Sequence, residues 1–314
     1  MALCAAAINP INKKLQLMKE YGDHRDTDWI RGPLLGEGTY GCVYKAILNS
    51  PMSPLIAVKT EKSSLSKTLR KEFEILFRLY ECPNVIRCLG YHTTRDYKGS
   101  LVSNLLLEYA SGGSLHDVIE KSSGGLPEME VRTHTRSILR ALRHIHGLGY
   151  VHCDLKPENV LLMADDDGKN FTAKISDFGL SKARGTVPYP RGSPAYLSPE
   201  AVHFETQEEP ADVWALGCIV LEMFVGRENS WAGTKEEILE RTGVEREWRD
   251  RISEDARDFM RCCFEGDPGQ RPTVELLLLH PFVDDYAKLV FSSAKGGVED
   301  DVYGFSFHFD FDDN

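Results

Sequence analysis

The sequence changes its hydrophobic period at Ser111-Gly112-Gly113, and no other feature limits the fold as strongly. From Trp29 to that point, apolar residues alternate along short segments divided by glycine-rich or Ser/Pro-rich turns, the period of half-buried strands. IRGPLLGEGTYGCVYKAIL predicts a β-hairpin, PLIAVKT a third strand, and VIRCLGYHTT with SLVSNLLLEYA two more. One helix interrupts them, with Leu69, Phe73, Leu76, Phe77 and Tyr80 at helical spacing. After Gly113 the apolar stretches are helical: SLHDVIEKS, MEVRTHTRSILRALRHIHGLG, EPADVWALGCIVLEMFVG, TKEEILERTG, SEDARDFMRCCFEG and TVELLLLHPF. NVLLM and TAKIS are the two strand exceptions, split by the turn DDDGKN.

A chain of 314 residues exceeds the usual size of one core, so two lobes are expected. The reading is an α+β fold. An N-lobe over 29–109 carries a small antiparallel sheet and one helix, and a mainly helical C-lobe covers 110–283. The hinge runs from Glu108 to Gly113. Residues 1–28 form an N-terminal extension. Residues 284–314 form an acidic aromatic tail, where Phe305, Phe307, Phe309 and Phe311 alternate with polar residues. That pattern suits either a strand docking on a surface or a disordered acidic end.

A formal charge of -11 disfavours nucleic acid and anionic membranes as partners, because both reward basic surface. No apolar run reaches spanning length, so membrane insertion is not expected. The eight cysteines (4, 42, 82, 88, 153, 218, 262 and 263) show no C-x-x-C spacing and mostly sit in apolar surroundings. That suits free thiols in a reducing compartment, with the cytoplasm expected first and the nucleus second.

VHCDLKPENV sets an acid (Asp154), a cation (Lys156) and a carboxamide (Asn159) within six residues. Phosphoryl transfer needs such a set: a carboxylate for the incoming hydroxyl proton, a cation for the moving phosphate, and an amide oxygen for Mg²⁺. The glycines of G-E-G-T-Y-G-C-V (Gly36, Gly38 and Gly41) lie between two strands, whereas a dinucleotide fingerprint opens a helix. Lys59, in IAVKT, needs a carboxylate partner if its strand is buried. Glu72 and Glu74, both on the helix that follows, are the candidates. Asp177-Phe178-Gly179 follows TAKIS and offers a second hard oxygen ligand beside Asn159.

In this order the motifs resemble a eukaryotic serine/threonine protein kinase domain, over residues 29 to about 283. Lys156 and Ser193 point to the serine/threonine branch. Trp29-x-Arg31-Gly32, GGSLHDVI, RGSPAYLSPEAV and DVWALGCIVLEM are similar to plant mitogen-activated protein kinase kinase kinases of the short MEKK-like group. The resemblance implies a two-lobed kinase fold with ATP and Mg²⁺ between the lobes. Phosphates are expected under Leu35, Gly36, Glu37, Gly38, Thr39, Tyr40, Gly41, Cys42 and Val43. Adenine is expected between Ala57 and Leu161, against the main chain of Glu108 and Ala110, with Leu107 guarding the space behind. Lys59 would hold phosphates, oriented by Glu72, which the family pattern selects because its helix glutamate stands four residues before an apolar position on the same face, here Leu76, and Glu74 reads as a solvated charge. Asn159 and Asp177 would hold Mg²⁺. Lys156 would steady the transferred group and Asp154 would act as base. Glu200 is expected to pair with Arg271. The implied partner is a protein substrate, a mitogen-activated protein kinase kinase.

Two positions depart from the family pattern. Cys153 replaces the arginine of H-R-D, and Ser198 replaces the alanine of A-P-E. The first removes a cation that grips an activation-segment phosphate. Little dependence on such a phosphate is therefore expected, with the segment held by packing of Tyr189, Pro190 and Tyr196. Cys153 also leaves two alternatives, a pseudokinase scaffold or a kinase of the same fold in an immune receptor-associated pathway.

Overall fold

The computed structural model describes residues 29–38, 41–49, 55–61, 67–95, 99–122, 124–165, 168, 170–186, 190–230, 235, 237 and 246–284. Thr39, Tyr40, Tyr189, the N-terminal extension, most of TKEEILERTG and the Phe-rich tail lie outside them.

The strand-period half folds as one antiparallel sheet. β1 (Trp29–Gly38) and β2 (Gly41–Leu48) form the glycine hairpin, and β3 (Leu55–Glu61) follows. Helix α1 (Lys67–Arg78) precedes β4 (Cys88–Arg95) and β5 (Leu101–Glu108). The order is β1-β2-β3-β5-β4. Register aligns Val43 with Lys59 and Lys59 with Leu105, and two pairs along aligns Lys45, Ala57 and Leu107. This puts the hinge-side residues and the lysine on neighbouring strands at fixed offsets. Gly41, with φ 147°, has room only for hydrogen, since a Cβ there would meet the Thr60 carbonyl at 2.2 Å.

Past the hinge, helix α2 (Leu115–Lys121) opens with a capping box. The Ser114 hydroxyl accepts from Asp117 N–H at 3.1 Å, and the Asp117 carboxylate accepts from Ser114 N–H at 2.9 Å. Helix α3 (Glu128–Gly147) leads through Gly149 to the short β6 (Tyr150–Val151). The expected strand pair appears as β7 (Val160–Ala164) with β8 (Phe171–Ile175), and β6 pairs with β9 (Lys182–Ala183). Helix α4 (Pro199–Phe204) and helix α5 (Glu209–Val225) follow. α5 is buried at every residue from Ala211 to Val225, so it forms the axis of the C-lobe core. Helix α6 (Glu254–Cys263) packs on it.

The helix expected from TVELLLLHPF is shorter than its apolar run and covers only Val274–Leu277. Pro281 disfavours helical backbone at His280, and the chain turns there. Among the described residues, no helix is long and apolar enough to cross a membrane.

Candidate active site

Two clusters of polar side chains sit where the lobes meet. In the upper one, Lys59 Nζ lies 2.8 Å from Glu72 Oε2 and 2.8 Å from Asp177 Oδ1. β3 supplies the lysine, the inner face of α1 the glutamate, and the end of β8 the aspartate. Glu72 is 1% exposed and its other oxygen accepts from Phe178 N–H at 3.3 Å. Glu74 lies on the outer face and pairs with Arg70, both well exposed, a pair worth little. Burial opposes the charge on Lys59, but Glu72 and Asp177 outweigh it and push its pKa up. Burial likewise opposes ionisation of Asp177, and Lys59 overcomes it, holding that carboxyl below its ordinary value. Asp177 has φ 60°, in the left-handed region, and this backbone turn aims its carboxylate at the lysine. Phe178 is fully buried, edge-on to His152 with ring centres 5.0 Å apart.

In the lower cluster, Asp154 Oδ1 accepts from both the N–H and the hydroxyl of Ser193, each at 2.9 Å. Lys156 Nζ donates to Ser193 Oγ at 2.8 Å and stands 3.2 Å from Asp154 Oδ2. Asn159 Nδ2 donates to the Asp154 carbonyl at 2.7 Å and to Oδ2 at 3.2 Å. Ser193 can approach because Gly192, at φ 105°, presses on the Cys153 carbonyl; a Cβ there would lie 2.2 Å from that oxygen.

The catalytic stretch is anchored by a residue to which the sequence reading gave no role. Asp212, near the start of α5, accepts from His152 N–H at 2.8 Å and from Cys153 N–H at 3.0 Å. It also bonds His146 Nε2 at 2.9 Å, and His146 is buried in the core. Burial works against the Asp212 charge, yet the His146 bond and charge hold its carboxyl below the ordinary value. The sequence signal was a charged residue inside a helix that is apolar over most of its length, a signal Asp212 shares with Glu222.

The hinge end is fixed by main-chain bonds. Gly112 N–H donates to Leu162 carbonyl and Leu162 N–H to Gly113 carbonyl, both at 2.9 Å, which seats Leu161 beneath it. Glu108 Oε1 accepts from Arg87 N–H at 2.7 Å and Lys174 Nζ at 2.6 Å. Leu107 is buried opposite Ala57. Leu35 and Glu37 lie exposed on β1, and Cys42 and Val43 half-buried on β2. A Cβ on Gly36 or Gly38 would meet nothing within 4 Å, so open space lies against the hairpin. That space, with a lysine, a carboxylate and a carboxamide, fits a nucleotide phosphate and a hard divalent cation.

Residues 29–283 match the family model described as the protein kinase domain. The chain belongs to the protein kinase family. The kinase is 43% identical over 276 residues to mitogen-activated protein kinase kinase kinase 20 of Arabidopsis thaliana, covering 82% of this chain and 78% of the relative. It is 36% identical over 267 residues to mitogen-activated protein kinase kinase kinase 17 of the same plant, covering 82% and 69%. A third relative, mitogen-activated protein kinase kinase kinase 18, is 37% identical over 270 residues, covering 82% and 77%. It is an ATP-dependent serine/threonine kinase, and its family generally uses ATP and Mg²⁺.

Two further features of the kinase bear on the sequence reading. Glu200 and Arg271 do pair, at 2.8 and 3.1 Å, inside the C-lobe. The activation segment, however, is not held by packing alone. Lys182 and Arg184 meet Glu208 and Glu209 in ion pairs, and Tyr196 donates to Glu222 at 2.7 Å. These partners sit on or just before α5, far along the chain, where spacing gives no cue. Elsewhere folding gathers Asp258, Cys262 and His280. Phe282 N–H donates to His280 Nδ1 at 3.1 Å, so the ring proton sits on Nε2, facing Asp258. That nitrogen is therefore not presented as a metal ligand.

Proposed function

We propose that this kinase transfers the γ-phosphate of ATP to a serine or threonine of a mitogen-activated protein kinase kinase. The observation that carries the chemistry is the Asp154–Ser193–Lys156 cluster, a carboxylate oriented by two donors beside a cation. The substrate class is supported by the names of the three plant relatives.

In this reading Asp154 Oδ2 takes the proton of the acceptor hydroxyl, while Ser193 holds Oδ1 and fixes the carboxylate plane. Lys156 lies beside the acceptor and balances charge on the transferred group. Lys59, kept protonated by its two carboxylates, holds the phosphates, with Gly36, Gly38 and Gly41 letting main-chain N–H groups approach. Asn159 and Asp177 would hold Mg²⁺, which when bound neutralises phosphate charge. Adenine would lie between Ala57 and Leu161 against the Glu108–Ala110 main chain.

The test is incubation of the purified kinase and ATP with a panel of catalytically inactive mitogen-activated protein kinase kinases, followed by phosphosite mapping. Activation-segment serines or threonines should be labelled on at least one of them. Labelling of a generic protein substrate with none of the panel modified would overturn the substrate assignment.

A further inference from the structure

The start of α5 grips both halves of the catalytic apparatus within six consecutive positions. Asp212 holds the main chain of His152 and Cys153. Gln207, buried, donates to the Cys153 carbonyl at 3.2 Å and to the Arg191 carbonyl at 2.9 Å, and accepts from Arg191 N–H at 3.0 Å. It thus ties the residue before Asp154 to the residue two before Ser193. Glu208 acts on the other end of the segment. Its carboxylate accepts from Lys182 Nζ at 2.6 Å and from Gly185 N–H at 3.2 Å to each oxygen. Lys182 Nζ also donates to the Thr186 carbonyl at 2.8 Å, closing the turn.

Lys182 is no ordinary surface lysine. Its side chain is 4% exposed, and its strand, β9, pairs Lys182 with Val151, the residue that leads into His152 and Asp154. A cation so buried requires a counter-charge at hydrogen-bond distance. Glu208 supplies it from within the chain. Position 153, meanwhile, carries a buried thiol whose pKa burial pushes up, so it is neutral and offers no charge to an incoming anion.

We propose that Glu208 is the resident counter-anion of the activation segment, a positioning residue. With Gln207 it holds Lys182–Thr186 and Arg191–Ser193 in the catalytic arrangement without any phosphate on the segment. The carboxylate does by sequence what a phosphate would do by modification, so the Asp154–Ser193 contact is formed from the start. This rests on Asp154 being the base.

The experiment uses the full chain, treated with phosphatase, and reads turnover on a generic protein substrate at varied ATP. Wild-type kcat should survive the treatment within about twofold, and Glu208→Gln, which removes only the charge, should lower kcat about tenfold. KM for ATP should stay within about twofold, because Lys59, Glu72 and Asp177 are untouched, and Glu208→Asp should recover part of the loss. Should Glu208→Gln fold poorly, the pair decides. Lys182→Gln combined with Glu208→Gln should cost no more than the worse single change. A tenfold loss on phosphatase treatment, wild-type kcat in Glu208→Gln, or additive losses in the pair would each overturn the proposal. Wild-type turnover in Asp154→Asn would instead overturn the base assignment beneath it.

Discussion

Lys59 sits between two carboxylates brought from two distant segments, whereas most partners of Asp154 lie within five residues of it. The upper cluster is an ion network whose inner pair is shut from water, with Lys59 and Glu72 side chains 11% and 1% exposed, while Asp177 is 37% exposed. The lower one is a hydrogen-bond cluster, part-buried, with Asp154 11% and Lys156 23% exposed. The difference follows from the jobs. A residue that holds multiply charged phosphates needs a fixed, permanent charge, which burial among carboxylates guarantees. A residue that takes a proton from a protein substrate must be reachable, and its orientation comes from short local bonds and one long-range contact, Ser193.

Breaking the lower cluster at its centre should have the largest effect. Asp154→Asn keeps the shape and the Ser193 bonds but removes the base, and should cost ~10²–10⁴-fold in turnover with ATP affinity nearly intact. Retention of more than about a tenth of wild-type turnover would remove Asp154 from that role. Lys59→Met should cost about 10²-fold, and here ATP affinity should fall as well, since the phosphate-holding charge is gone. A mutant that binds ATP as wild type does would erase the proposed distinction between the two clusters.

Ser193→Ala sharpens the comparison. It removes a hydroxyl that bridges Lys156 and Asp154 while leaving the Ser193 N–H bond, so a drop of about tenfold in kcat is expected, without change in ATP KM. An equal effect on both parameters would show that Ser193 serves the upper cluster too.

The smallest effect is one of pH and belongs to the upper cluster alone. Asp177 has a folded pKa below its ordinary 3.8, so its stabilisation is complete above that value and is lost as pH falls through the lower folded value. The unfolding free energy of wild type minus that of Asp177→Asn should therefore be constant above about pH 5 and shrink on further acidification. The change is small because the Asp177 side chain is 37% exposed. Denaturant unfolding across a pH series checks it, and a difference that grows in acid contradicts it.

Much of this was written in local pattern. Asp154, Lys156 and Asn159 are near neighbours in one loop, so their spacing alone brings them together. The choice of Glu72 over Glu74 came through the family resemblance, and the fold turns Glu72 inward and leaves Glu74 exposed. The lobes were visible as a change of hydrophobic period, since strand and helix burial impose different repeats. The pairing of Glu200 with Arg271, 71 positions apart, was reached through the family resemblance and not through any periodicity.

Sequence alone thus determined which residue types stand in the two clusters and on which local elements. Tertiary structure decided what holds the clusters in place. Asp212, Gln207 and Glu208 read as one acidic, polar start to a helix, and nothing in their order says what they touch. Their roles arise because α5 is the buried axis of the C-lobe, so its first turn lies beneath the catalytic loop and beside Lys182 at once. Hydrogen bonds across 26 to 60 positions depend on packing of apolar surfaces elsewhere, and a linear pattern carries no record of that.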